Sequence, residues 1–511
     1  MADSGVTSSE PEAAWRAVLA RDPFDATALH GLARVLLRRR RAVQAVALLS
    51  AAATESDDAD ILTDLGIALV ATGSSQEAEP YFRRALVTDP ENFLALSNLG
   101  RLLLANGESA TALELLRRGL AVAPEGSDTG TTLVGALIAR GNAAYAGSDM
   151  AVAERLYREA IGFGLDLVAG YNNLGNALTG QLRIPEALEA YRAALAIDPG
   201  SDNTGFAYSL CLLLAGNDQE GWRQFEHRRG VEPLRRDHER RPDLPQWRPS
   251  VELAGRRVLL TAEQGSGDLI QHARFAPILA RTAAAVVLEM PWPLGAVFHT
   301  LPGIERVIGL DDPAHGCDIA CPLMSLPLFF GADAGMPPPY VTAPVDRLAR
   351  WTAWLDRSPP GRRIGLVCHG DPRHPRDRDR SIALAALAPL LDMPDVTFVL
   401  IQTEVRETDR AAFDAADNVR CPGAALTDYA DTAALLSGLD LLISVDTSVA
   451  HLAGAMGLPV WTLLPYCPDY RWKLGRDDSP WYPSMRLYRQ ERPGGWGTVI
   501  QRVRNNLIRR A

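Results

Sequence analysis

The sequence predicts two architectures in one chain, a helical solenoid over the first half and two layered α/β lobes over the second. Three observations predict them. Short blocks recur at a spacing of 34 residues up to about residue 230. A proline cluster, Pro242, Pro245 and Pro249, closes that pattern. Short β-branched runs then alternate with helical stretches to the C-terminus, the order that builds parallel sheets. At 511 residues the chain exceeds what one hydrophobic core organises, and usual domain sizes give about three units. The expected boundaries are 12–230 for the array, 231–255 for a linker, 256–345 for a first lobe and 346–511 for a second.

In the first half, Leu65-Gly66 recurs as Leu99-Gly100, and Asn98-Leu99-Gly100 is echoed by Asn173-Leu174-Gly175. Ala78 recurs as Ala112, Ala153 as Ala187, Tyr157 as Tyr191, and Asp89-Pro90 as Asp198-Pro199. Small residues where helices approach, an aromatic in the second helix and Pro at the exit resemble the tetratricopeptide repeat, which implies a right-handed α-solenoid. Between Gly100 and Gly141 the step is seven residues longer, and Glu125 to Asp128 reads as an inserted loop. Such an array offers a concave surface for a peptide or protein. Asn98, Asn172 and Asn173 sit near first-helix positions that face that groove, where amides can bond a peptide backbone. The alternative reading is a dimerisation or spacer module, with a homo-oligomer as its product.

In the second half, strands are expected at Arg257 to Ala262, Ala285 to Glu289, Val307 to Leu310, Asp318 to Ala320, Arg363 to Val367, Thr397 to Ile401, Leu439 to Ser444 and Val460 to Leu464. Ligands of open α/β sheets bind beyond the carboxyl ends of strands, so three loops stand out. Glu263-Gln264-Gly265-Ser266-Gly267-Asp268 opens a helix; Gly265 and Gly267 allow close backbone approach, and Asp268 is placed either to take a proton from an acceptor hydroxyl or to cap the helix. A dinucleotide fingerprint fits poorly, since Ile270 stands where the third glycine belongs, although Glu289 ends the next strand. The loop His369 to Arg380, with Gly370 and four arginines before Ser381, suits a diphosphate or is simply solvated. Asp377-Arg378-Asp379 has the form of a metal-binding pair but lies among arginines, so no metal is expected. Last, Val445 to Pro459 sets Thr447 and Ser448 at the mouth of an Ala/Gly-rich helix, with Asp446 and His451 beside them.

Together with Gly221-Trp222-Arg223, Pro322 to Pro327, Arg380-Ser381-Ile382, Asp469 to Trp472 and Asp478 to Arg486, these loops resemble the GT-B glycosyltransferases. The closest resemblance is to tetratricopeptide-repeat glycosyltransferases whose catalytic half is similar to glycosyltransferase family 9, the heptosyltransferases. It implies two Rossmann-like lobes, acceptor side first and nucleotide-sugar side second, and inverting, metal-independent transfer with no cofactor. It implies Asp268 as base, and Gly265, Gly267, Gly370, Arg380, Ser381, Gln402, Asp446, Thr447, Ser448 and His451 on the donor side. Family members carry Trp-(Ala/Ser)-Gly after the first strand of the second lobe, where this chain has Cys368-His369-Gly370. The implied acceptor is Ser or Thr of a protein, with flagellin as the candidate. An inactive repeat scaffold and a heptosyltransferase-like enzyme acting on a carbohydrate are the alternatives.

Composition narrows the classes further. A net charge of −10 argues against sequence-independent nucleic-acid binding, and the runs Arg38 to Arg41 and Arg235 to Arg241 read as solvated faces or linker. No apolar run reaches the roughly 20 residues of a membrane helix, and the polar start lacks a signal-peptide core, so the expected location is cytoplasmic. Six scattered cysteines without zinc-ligand spacing read as reduced thiols.

Overall fold

The computed structural model describes residues 10–248, 251–374 and 376–509. They form two compact units divided between Leu178 and Thr179.

The first unit is built from helix pairs: Ala26–Arg38 with Ala42–Glu55, Ala59–Ala71 with Ser75–Thr88, Phe93–Ala105 with Ser109–Val122, and Thr129–Ala146 with Met150–Gly162. The repeat has a mechanical reason. A Cβ on Gly66 would lie 2.5 Å from the Phe82 ring, on Gly100 2.7 Å from Leu116, and on Gly141 2.5 Å from the Tyr157 ring. In each pair the large side chain stands at the same offset from the glycine, so the second helix packs directly on the backbone of the first; an added methyl would cost about 1–3 kcal/mol in overpacking. The first three pairs also start on a capping side chain: Asp25 accepts from the Ala28 amide at 2.8 Å, Asp58 from Ile61 at 3.2 Å, and Asn92 from Ala95 at 3.0 Å. The irregular step differs from its expected form. Its extra residues are shared between the connection 123–128 and the helix Thr129–Ala146, which has 18 residues where its counterparts have 13.

The second unit begins with the remaining helices of the array, Ile184–Ile197, Asp202–Leu214 and Asp218–Phe225. Two wholly parallel sheets follow. The first holds β1 (Arg257–Thr261), β2 (Ala285–Glu289), β3 (Arg306–Ile308) and β4 (Ile319–Pro322) in the order β3-β2-β1-β4. The second holds β5 (Arg362–Val367), β6 (Val396–Leu400), β7 (Val419–Arg420), β8 (Leu441–Val445), β9 (Val460–Leu464) and β10 (Met485–Arg489) in the order β10-β9-β8-β5-β6-β7. Sheets covered on both faces need continuous apolar strands, and β6, β8 and β9 are buried throughout. The chain therefore folds as an α-solenoid followed by two Rossmann-like α/β lobes. The order of strands reverses at β1 and at β5, and loops diverge from such switch points to leave a crevice.

The segment between the array and β1 is packed. Trp247 is fully buried and its amide donates to the Ala320 carbonyl at 2.8 Å, adding Gln246 beside β4. The basic run splits accordingly: Arg235 and Arg236 are exposed, whereas Arg240 and Arg241 donate to Glu289 at 2.8 and 2.7 Å. That pairing occupies both oxygens of a fully buried Glu289, which leaves no acceptor there for a ribose. Among the described residues, no helix is long and apolar enough to cross a membrane.

Candidate functional site

A cavity of about 790 Å³ opens where the loops after β1, β5, β8 and β9 converge. Its wall includes Gly265, Gly267, Asp268, Gly370, Arg380, Asp446, Thr447, Ser448 and His451, so the fold unites nine residues that the sequence assigns to catalysis or donor binding. Ser381 and Gln402 are not on that wall. Ser381 follows the turn Asp377–Arg380, and the Gln402 amide faces the His369 ring, 2.8 Å from Nδ1.

Asp268 caps its helix, the second of the two readings expected of it. Its Oδ2 accepts from the Gly265 amide at 3.1 Å, capping the helix Ser266–His272, while Oδ1 forms an ion pair with Arg471 across the cleft. Arg471 is also paired with Asp469, its guanidinium lies 4.5 Å over the Tyr470 ring, and Trp481 Nε1 donates to its carbonyl at 2.8 Å. Burial pulls the Arg471 guanidinium down to about 10, still charged in neutral water. In the sequence Arg471 belongs to the stretch Asp469 to Trp472 with no role of its own; the signal that marks it is its place in the loop after β9, a fourth strand end on the same crevice.

On the opposite wall, Thr447 is the N-cap of the helix Ser448–Ala455, with its hydroxyl 3.1 Å from Ser444 Oγ, and Tyr429 Oη donates to Ser448 Oγ at 2.7 Å. The helix mouth and its dipole favour an anion. Arg380 lies across Gly370, where a Cβ would fall 2.5 Å from its Nη2, and donates from Nη1 to the Asp446 carbonyl at 3.0 Å. Gly370 is thus the residue that lets the guanidinium reach the crevice. Asp377 is turned inward, accepting from Arg406 at 2.9 Å and from the Gly370 amide at 3.2 Å, and so braces the loop, while Asp379 lies on the cavity wall.

Electrostatics assign His451 a neutral role. Burial, with Arg380 adding to it, pushes the ring down to about 3. Its Nδ1 is 3.0 Å from Tyr482 Oη, its face stacks on Trp472 and its Nε2 stands 3.8 Å from Asp446. Its ring can exchange a hydrogen bond with a ligand in the crevice. Burial pushes the Asp446 carboxyl up, against Arg380; burial and the Asp446 charge push Asp469 up. Gly267 sits against the same ring, a Cβ there falling 2.9 Å from His451 Cδ2, and this contact joins the two lobes.

The acceptor candidates lie in the first unit. Asn98 donates to the Leu94 carbonyl at 2.8 Å and accepts from Arg101 at 2.7 Å. Asn172 donates to Asn173 at 3.1 Å, and Asn173 to Asn142 at 3.1 Å. Asn142, unmarked in the sequence, also accepts from Tyr157 Oη at 2.7 Å, so the amides form a chain along successive first helices.

Comparison with known families supports the division of the chain. Models of the tetratricopeptide repeat match residues 12–60, 63–127 and 168–201, and the model of glycosyltransferase family 9 (heptosyltransferase) matches residues 409–494. The chain therefore carries tetratricopeptide repeats and a C-terminal glycosyltransferase family 9 domain. The family 9 match spans the helix mouth and the Arg471 loop and stops short of Asp268. Protein FlbA of Caulobacter vibrioides (strain ATCC 19089 / CIP 103742 / CB 15) is 28% identical over 391 residues, which cover 70% of this chain and 64% of FlbA. This chain thus spans less than two thirds of that relative's length. Among solved structures, YrrB, described as a TPR protein with an unusual peptide-binding site, is 16% identical, covering 36% of this chain and 92% of its own at a TM-score of 0.29. MamA is 22% identical, covering 32% and 91% at 0.26. Overlaps this weak carry no argument about this chain.

Proposed function

We propose that this chain is an inverting, metal-independent glycosyltransferase that moves a sugar from a nucleotide-sugar donor to an acceptor hydroxyl. The acceptor in this reading is Ser or Thr of a protein held by the repeats, with flagellin as the first to test. The observation that carries it is one crevice in which a carboxylate from the first lobe faces a guanidinium and a helix mouth from the second. Glycosyl transfer needs that division: the acceptor oxygen loses a proton as it bonds the anomeric carbon, while the bond to phosphate breaks and its electron pair leaves with the nucleotide. Asp268 takes the proton. Arg380 and the amides at the Thr447-Ser448 helix mouth take the charge on the leaving phosphate, and neutral His451 orients it. Arg471 leaves Asp268 for the donor phosphates, which frees the base only once donor is bound.

One observation favours a second reading, a repeat scaffold without transfer: both oxygens of Asp268 are occupied, one by the helix cap and one by Arg471. Calorimetry with UDP-, GDP-, ADP- and CMP-sugars separates the two. Selective binding that Ser448→Ala weakens and Asp268→Asn retains supports the transferase. No binding at millimolar concentration overturns it in favour of the scaffold.

A further inference from the structure

We infer that the segment 226–241, directly after the last repeat helix, is a positioning element for the loop that carries Asp268; the inference rests on the reading of Asp268 as the base. Three consecutive residues directly after β1 are held by this segment, alongside the Met324 amide on Glu263 at 2.9 Å and the Glu289 carboxylate on the Ala262 amide at 3.1 Å. Arg240 Nη1 donates to the Ala262 carbonyl at 3.1 Å. Arg228, fully buried, grips both oxygens of Glu263 at 2.7 and 2.9 Å and reaches Ser325 Oγ at 2.9 Å and Glu226 at 2.7 Å. Asp237 Oδ2 accepts from the Gln264 amide at 3.1 Å, while its Oδ1 accepts from Arg240 Nη2 at 2.6 Å.

The last of these contacts restrains an unusual backbone. Gln264 has a φ of 60°, in the left-handed region, which a side chain of this type occupies only where its surroundings hold it. Gly265 comes next, and its amide bonds Asp268 itself. The path from Asp237 to the carboxylate is therefore two hydrogen bonds along one rigid turn. Burial alone would push the Arg228 guanidinium down, but Glu263 and Glu226 more than reverse it, so the clamp stays charged. The same segment is continuous with the helix Asp218–Phe225, whose Trp222 packs edge-on to His272, Tyr470 and Trp481. The catalytic unit accordingly begins within the terminal repeat, and Arg228 and Asp237 act on the reaction through the loop without touching substrate.

Misplacing a reacting group by about 1 Å can cost on the order of 100-fold in rate. The test uses the full chain with Asp237→Ala and Asp237→Asn, since Asn keeps an oxygen to accept from Gln264. Two readouts are taken: amide hydrogen exchange over residues 262–268, and hydrolysis of whichever UDP-, GDP-, ADP- or CMP-sugar the wild type binds, with KM and kcat separated. Asp237→Ala is expected to lose exchange protection in that loop and to drop kcat by roughly 10- to 100-fold with KM within about twofold, and Asp237→Asn to recover most of both. Unchanged protection in Asp237→Ala overturns the clamp whether or not the enzyme turns over. Lost protection with unchanged kcat overturns its catalytic role. If the wild type binds no donor, the transferase reading fails, while the exchange result still decides the clamp. Should Asp237→Ala not fold, Gln264→Gly replaces it: glycine suits the left-handed turn, so protection and kcat near wild type are expected, and their collapse would mean the loop depends on the side chain and not on the held backbone.

Discussion

The loop after β1 commits its groups to buried or half-buried neighbours, whereas the loop after β5 mixes outside ties, from Arg376 to the Cys467 carbonyl and from Arg380 to the Asp446 carbonyl, with exposed pairs among its own charges. In the first, Glu263 is gripped by Arg228, Gln264 by Asp237, and Gly267 packs on His451. In the second, Arg373 pairs with Asp371 two residues away and the pair is largely solvent-facing, with Asp377 to Arg406 as the inward brace. Exposed pairs contribute about 0–1 kcal/mol, so the Asp371–Arg373 tip of the second loop is cheaply rearranged, while a buried pair resists change because losing one partner costs about 3–5 kcal/mol. The difference suits the two tasks assigned to them. A proton transfer needs a fixed base; a diphosphate can be gathered by arginines that move to meet it.

The largest expected effect tests the fixed side. Asp268→Asn keeps an oxygen for the Gly265 amide but removes the base, and should lower kcat about 10²- to 10⁴-fold while donor Kd changes little. Loss of donor binding in parallel would mean that Asp268 acts through Arg471 and the loop, breaking the contrast. Next is the adaptable side. Arg380→Ala removes a charge-assisted contact, with an expected loss of about 1.5–3 kcal/mol in nucleotide binding, read by calorimetry. Arg380→Lys should recover only part of it, since an ammonium lacks the planar fork.

Acid should loosen the site. Burial, the leading cause in each case, pushes His238, His272 and His451 down to about 3, and all three touch or underlie the β1 loop: His238 stands 3.4 Å from Glu263, His272 ends the helix the loop opens, and His451 packs on Gly267. A histidine whose folded value lies below its unfolded value near 6.5 binds more proton when unfolded. Its contribution is complete above about pH 6.5 and is lost as pH falls toward 3, at up to roughly 1.4 kcal/mol per unit for each group. Lowering pH from 7 to 5 is therefore expected to reduce Tm and to raise exchange at 262–268, and at 369–380 too, where burial also pushes His369 and His374 down. A Tm flat across that range would remove these histidines from the stability of the site.

How much of this was legible in the sequence follows from where each signal lies along the chain. The repeats were readable because Gly66 and Phe82, or Gly141 and Tyr157, restate one contact within a single helix pair. Strands β1, β2, β5, β6 and β9 fall within a residue of their expected positions, since runs such as Val258 to Leu260 carry the signal alone. The edge strands β7 and β10 were missed; Val419–Arg420 is too short to show a period, and Met485–Arg489 is interrupted by Arg486 and Arg489. Most of the crevice followed from the rule that strand ends gather at a switch point. Arg471 and the Arg228–Glu263 grip did not, because their partners lie 203 and 35 residues away and only the folded chain brings them together. Arg240 and Arg241 mislead for the same reason, since a charge run looks solvated until Glu289 appears beneath it.

The smallest expected effect examines the seam between the two sides. Gly267 leaves just enough room for the His451 ring, and an added Cβ would stand 2.9 Å from Cδ2. His451 is stacked on Trp472 and bonded to Tyr482, so it cannot retreat without disturbing both. Gly267→Ala should therefore shift the helix mouth of the first lobe, at about 1–3 kcal/mol of overpacking, seen as a Tm lowered by a few degrees. Gly265→Ala is the control, because its added Cβ meets only the Asp268 carboxylate at 3.2 Å. If transfer falls in Gly267→Ala while nucleotide binding holds, the seam fixes the distance between base and leaving group. Equal Tm and activity in the two variants would mean that the lobes accommodate the methyl by opening, and the β1 loop would then be fixed only from the side of Asp237 and Arg228.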